Sequence, residues 1–226
     1  MNPTALERFI RYVRIDTQSK EDADTFPSSQ KQFDLLNLLL QELRELGIQD
    51  ARMSACGYVM ATIPSNIPEG HPACGRVPAI GFIAHVDTSP SFSGSNVRPQ
   101  VIENYQGGDI VLPGNPELVI RESENPELSQ DIGKTIVTSD GTTLLGADDK
   151  AGVAIIMTAA QTFLNNPSIL HGDVKIAFTP DEEVGAGTKH FDIKEFGAQF
   201  AYTIDGDTAG EVNKETFSAK LAAITV

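Results

Sequence analysis

The sequence predicts an α/β fold: a mostly parallel sheet flanked by helices. Three observations carry that expectation. Amphipathic helical segments alternate with short apolar runs that read as buried strands. Clusters of acids, one with a histidine, stand just beyond several of those runs, where ligands gather in parallel α/β sheets. The 226 residues, 40% hydrophobic and 21% charged, supply core enough for one large domain or two small ones.

The elements follow in order. Thr4-Ala5-Leu6-Glu7 fits a capping box and leads Leu6, Phe9, Ile10 and Val13 at helical spacing. Residues 28–46 read as a second helix, with Phe33, Leu36, Leu39, Leu40 and Leu43 on one face and Gly47 as its stop. Strand-like runs follow at 58–63, 79–84, 135–138, 174–178 and 201–204. A helix rich in Ala, Ile and Met is expected over 150–164. Residues 63–78 and 88–116 are Pro- and Gly-rich connections, and no repeat or low-complexity tract interrupts the pattern.

Composition excludes some functions. Seventeen basic against thirty-one acidic residues give a net charge of −14. With no Lys/Arg cluster, neither nucleic acid nor an anionic membrane is an expected partner. The start, MNPTALERF, has no basic stretch followed by an apolar one, and no apolar run reaches membrane-spanning length. Cys56 and Cys74 are too few to imply a disulfide framework, so a cytoplasmic setting is the simpler expectation. The acidity itself reads either as solubility or as cation binding.

Four places carry the chemistry. His85 and Asp87 end one apolar run two positions apart, so in extended chain they share a side. Gly146-Ala147-Asp148-Asp149-Lys150 opens the long helix, Asp181-Glu182-Glu183 follows a second run, and Asp205 and Asp207 a third. Each has a bland reading: a structural histidine, helix-capping acids, a solvated acidic turn, an ordinary Asp-Gly-Asp turn. Their recurrence at four element ends suits a two-metal hydrolase, which needs a bridging carboxylate, terminal His or carboxylate ligands and a nearby base. YTIDGDTAG is similar to the nucleophile loop of haloacid-dehalogenase-type phosphatases, but Thr208 falls one residue too early. No phosphate-binding G-x-x-x-x-G-K-[ST] and no G-x-S-x-G elbow occurs.

GFIAHVDTSP, TTLLGADDKAG, IAFTPDEEVGAG and AYTIDGD together resemble the M20-type zinc metallopeptidases, and LERFIRYVRIDTQSK and NVRPQVIENYQGGDIVL extend the likeness over the chain. The resemblance implies two Zn2+ ions and a site residue by residue. His85 would be a metal ligand and Asp87 the acid that orients it. Asp148 would bridge both metals, and the Asp148–Asp149 bond would be cis. Glu182 would be the general base, Glu183 a ligand of one metal and Asp205 of the other. The implied reaction is release of the N-terminal residue from tripeptides. The alternatives are another amidohydrolase of the family (a dipeptidase or N-acyl amino acid deacylase) or a non-catalytic metal-binding or assembly module. His/Asp/Glu ligands would also suit manganese or cobalt.

The sequence departs from the family in two respects. The family has a further metal-ligating histidine beyond an inserted lid or dimerisation domain, and His71, His171 and His190 have no matching context. Residues 1–215 are expected to be the N-terminal part of the catalytic domain, and 216–226 the start of a crossover toward the lid. A fragment is the favoured explanation, ahead of a short enzyme completed by a partner subunit. An uncovered sheet edge would favour a homo-oligomer. Asp207 stands where glycine is expected.

Overall fold

The computed structural model describes residues 3–206 and 210–215. Helix α1 spans Ala5–Tyr12 and begins with the expected capping box: Thr4 Oγ1 accepts from the Glu7 N–H at 3.2 Å, and Glu7 Oε2 accepts from the Thr4 N–H at 2.7 Å. Helix α2, Gln32–Glu45, starts four residues later than expected, because Ser28 bonds to Asp181 instead of entering a helical turn. Gly47, at φ 92°, closes α2 as the sequence implied.

The strands are β1 (Arg52–Met53), β2 (Val59–Ile63), β3 (Ile80–His85), β4 (Gln100–Ile102), β5 (Ile110–Val111), β6 (Val119–Ile120), β7 (Ile136–Thr138), β8 (Val174–Thr179) and β9 (Phe200–Thr203). Helices α3 (Ala147–Asn165) and α4 (Ile193–Phe196) complete the set, with a 3₁₀ turn at Pro126–Asp131. Five strands form the main sheet in the order β1-β2-β8-β3-β9. β8, β3 and β9 are mutually parallel, whereas β1 pairs with β2, and β2 with β8, antiparallel. The fold is therefore α/β as expected, with a parallel half and an antiparallel half. The short β1–β2 connection leaves no room for a crossover and forces that pair antiparallel.

One expected strand lies elsewhere. The 135–138 run pairs with β4 in a separate two-stranded sheet, and β5 pairs with β6 in another. Tyr105, Ile110 and Leu128 form the small core of this lobe, so the connection at 88–116 contains structure that its Pro and Gly content concealed.

Helices α1, α2 and α3 cover one face of the main sheet. Leu35, Leu36, Leu39 and Leu43 of α2 are fully buried against that face, each contributing up to about 1.5–3 kcal/mol. Along β8, Val174, Ile176 and Phe178 point into this core, and Ala177 points to the opposite face with Tyr58, Met60 and Phe196. With both faces covered over β8, the carboxyl ends of the parallel strands are left as the open edge.

Candidate metal centre

The register gathers the predicted residues. His85 at the end of β3 lies beside Thr179 at the end of β8, and Ile83 beside Thr203 at the end of β9. The loops carrying Asp87, Asp181–Glu183 and Asp205 therefore leave the sheet at one edge, because β3, β8 and β9 run parallel and end together. The start of α3 brings Asp148 to the same place.

His85 is buried, its side chain 2% exposed. Its Nδ1 faces the Asp87 carbonyl oxygen at 3.0 Å, with the Asp87 carboxylate at 3.4 Å, so this nitrogen carries the proton. That leaves Nε2 turned toward Asp148 Oδ1 at 2.9 Å, Asp205 Oδ2 at 3.6 Å and Glu182 Oε2 at 3.8 Å. Burial opposes a charged imidazole, but the Asp87 hydrogen bond and charge, with Asp149 and Asp205, push it up to about 10. A divalent cation at Nε2 would take the place of that second proton.

Asp87 does more than orient the ring. Its Oδ1 accepts from the Glu182 N–H at 2.9 Å and its Oδ2 from the Glu183 N–H at 3.1 Å. One fully buried carboxylate thus ties the histidine strand to the loop bearing both glutamates.

Asp148 and Asp149 divide the two readings of this pair. Their peptide bond is cis, and neither has helical backbone angles. The Asp148 side chain is 70% exposed and faces the site. Asp149 turns inward, accepting the His85 N–H at 3.2 Å and the Gly152 N–H at 3.1 Å, the latter in the manner of a helix cap. Burial, reinforced by Asp205, pushes Asp149 up to about 8. Burial also raises Glu183, with Asp148 adding to it, and raises Asp205, where His85 pulls the other way. Gly152 is required here: a Cβ would sit 2.0 Å from the Ile204 carbonyl oxygen and 2.3 Å from Asp149 Oδ1.

One donor atom each from His85, Asp148 and Asp205 lies within 4.8 Å of the others. Ligand atoms around a tetrahedral divalent cation stand roughly 3.3–3.6 Å apart. The 2.9 and 3.6 Å separations from Nε2 bracket that spacing, so this nitrogen-and-carboxylate set fits a cation. Beside it opens a cleft of about 790 Å³ walled by Ile155, Tyr202, Ile204 and Val212.

Residues 139–219 match the family described as Peptidase family M20/M25/M40. The chain is 55% identical over 221 residues to a protein named Peptidase T from Salmonella dublin, covering 98% of this chain and 52% of that protein. It is 52% identical over 221 residues to a Peptidase T from Halothermothrix orenii, covering 98% and 53%. The chain resembles part of an M20-type peptidase. It spans about half the length of the curated relatives it matches. A solved Staphylococcus aureus tripeptidase shares the fold at a TM-score of 0.61 and 24% identity, over 90% of this chain and 43% of that one. A Bacillus cereus aminopeptidase shares it at 0.60 and 23%, over 90% and 43%.

Of the residues expected from the M20-type motifs, His85, Asp148 and Asp205 meet at donor-atom distance, and Asp87 and Glu182 adjoin them. Glu183 stands outside the three-residue cluster, although its carboxyl feels Asp148. Asp207 lies outside the described residues. Sequence reasoning passed over Asp149 as a buried brace of the His85 backbone and Asp181 as a buried anchor. The available signal was that Asp149 adjoins a predicted ligand, Asp148, and Asp181 adjoins the predicted base, Glu182.

Proposed function

We propose that this chain is part of a zinc-dependent aminopeptidase that removes the N-terminal residue of tripeptides, with residues 1–215 in the catalytic domain; the crossover expected over 216–226 lies outside the described residues. The observation that carries the reading is the convergence of His85 Nε2, Asp148 and Asp205 at the carboxyl ends of parallel strands. The name Peptidase T, carried by the relatives, supports a peptide as the substrate.

In this reading His85, Asp148 and Asp205 would hold one Zn2+, and Glu183 would help to hold a second, with Asp148 near both and a further ligand from the remainder of the protein. The bound ions would polarise the scissile carbonyl and make a water at the site acidic near neutrality. Glu182, exposed with its Oε2 3.8 Å from His85 Nε2 and held through its N–H by Asp87, takes the proton of the attacking water and hands one to the leaving amine. Asp87 keeps the His85 lone pair on Nε2. The apolar cleft walls would seat peptide side chains. Among the described residues no helix is long and apolar enough to cross a membrane, which agrees with a cytoplasmic enzyme. β9 offers an edge on which the remainder of the protein or a second copy would pair.

The test uses the whole protein and trialanine. Glu182→Gln should lower release of the N-terminal alanine at least ~100-fold with zinc content unchanged, the lower range for a positioned general base. Turnover within a few-fold of the unaltered protein would refute the base, and no turnover by the unaltered protein would refute the substrate.

A further inference from the structure

The proposed hydrolysis uses two acids of the Asp181-Glu182-Glu183 run and leaves the first without a role. Yet Asp181 is the most buried of the three, 1% exposed, where a solvated acidic turn would have left it in water. Its Oδ1 accepts from the Ser28 hydroxyl at 2.5 Å and from Gln32 Nε2 at 2.6 Å, and its Oδ2 accepts from the Ser28 N–H at 2.6 Å. Its own N–H donates to Gln32 Oε1 at 3.1 Å, and its carbonyl accepts the Ala186 N–H at 2.9 Å. Gln32, itself fully buried, therefore reads both the side chain and the backbone of Asp181. The backbone at Asp181 is left-handed, φ 59°, a conformation that aspartate tolerates better than most residues.

We propose that Asp181, gripped by Ser28 and Gln32, is a positioning residue that sets the direction in which Glu182 and Glu183 leave the sheet. Two independent clamps hold three consecutive residues. Asp87 takes the N–H groups of Glu182 and Glu183, and the entry to α2 takes Asp181 from the other side. Together they fix where the two glutamate side chains begin. The late start of α2 gains a reason too, because Ser28 is committed to the anchor and not to a helical turn. The assignment rests on Glu182 and Glu183 having the base and ligand roles proposed above.

A mere tether between α2 and the sheet would affect stability and leave a bound metal undisturbed, so the test reads the metal. The whole protein is titrated with Co2+ alone, and its affinity and visible absorption are recorded for Asp181→Asn, Ser28→Ala, Gln32→Met and Ser28→Thr. The asparagine amide would turn a donor toward the Ser28 N–H or the Gln32 amide. The first three variants should bind Co2+ about 10–100-fold more weakly, the range for residues that orient ligands, with a changed absorption band. Ser28→Thr, which keeps the hydroxyl, should retain both. If Asp181→Asn does not fold, Ser28→Ala and Gln32→Met decide. Folded variants with unaltered affinity and band would overturn the proposal. Cobalt binding without trialanine hydrolysis by the unaltered protein would sink the tripeptidase reading and leave the positioning one standing, and no cobalt binding at all would overturn both.

Discussion

Two clusters of ionisable side chains, one enclosed between helices and one at the open edge of the sheet, are built on opposite rules. Between α1, α2 and α3, Glu42 is closed in by its partners. Arg8 Nη1 donates to it at 3.2 Å and the Tyr12 hydroxyl at 2.6 Å, and Arg11 pairs with its other oxygen. Arg8 Nη2 donates onward to Gln161 at 2.6 Å. Burial and then Glu42 keep the Tyr12 hydroxyl protonated far above neutrality. At the carboxyl edge of the sheet, by contrast, Asp87, Asp148, Asp149, Glu182, Glu183 and Asp205 surround the imidazole of His85. Lys150, buried nearby, gives its Nζ to the Ile15 carbonyl. In the first cluster two guanidinium groups meet the one carboxylate, and their bonds hold helices together. The second carries unbalanced negative charge at an open edge, which a cation would offset.

That contrast can be broken most sharply at Glu42. Glu42→Ala leaves Arg8 buried without its carboxylate and should lower stability by about 3–5 kcal/mol in chemical denaturation, with metal affinity unaffected. Gly152→Ala forces a methyl onto the Ile204 carbonyl and should cost about 1–3 kcal/mol, while also weakening cobalt binding because Asp149 and Asp205 must shift. Asp148→Asn is the converse of Glu42→Ala. In EDTA its stability should stay within about 0.5 kcal/mol of the unaltered protein, since the side chain is mostly exposed, yet isothermal titration should show weaker zinc binding. A loss of fold in Asp148→Asn with full zinc affinity would erase the distinction between the clusters.

The acidic cluster should also show in the pH dependence. The folded His85 holds its proton up to about 10 against 6.5 unfolded, and the folded Asp149 up to about 8 against 3.8. In both cases the folded state binds more protons, so stability falls as pH rises through those intervals. In EDTA the melting temperature should drop by several degrees from pH 7 to pH 9, and zinc should remove that slope by displacing the protons. A flat profile in EDTA would show the cluster to be more solvated than its geometry implies. The smallest effect is expected at the surface pair Arg52–Glu195, 2.8 Å apart with both side chains about half exposed: Arg52→Ala should change stability by less than about 1 kcal/mol.

The acidic cluster was more legible in the sequence than the closed one. His85-x-Asp87, Asp148 and Asp205 each stand at an element end beside an apolar run, and their type and spacing mark them as donors. Nothing local sets Arg8, Glu42 and Gln161 apart from the solvent-facing charges of amphipathic helices, because their meeting depends on how three helices pack. The strand over 135–138 shows the same limit: its composition revealed a strand, and its partner could be known only from the chain's path.

Local chemistry by itself determined the capping box at Thr4–Glu7, the stop at Gly47, the apolar runs of the main sheet and the acids at its element ends, since each depends on residues a few positions apart; the likeness to M20-type motifs singled out the candidate ligands among those acids. Tertiary structure decided that β2 runs against β8, that Asp148 faces the site while Asp149 caps the helix and braces His85, and that Asp181 is an anchor and not a solvated acid. Those outcomes depend on atoms brought together from as far as 153 residues apart, as Ser28 and Asp181 are, where only packing and register choose between burial and water.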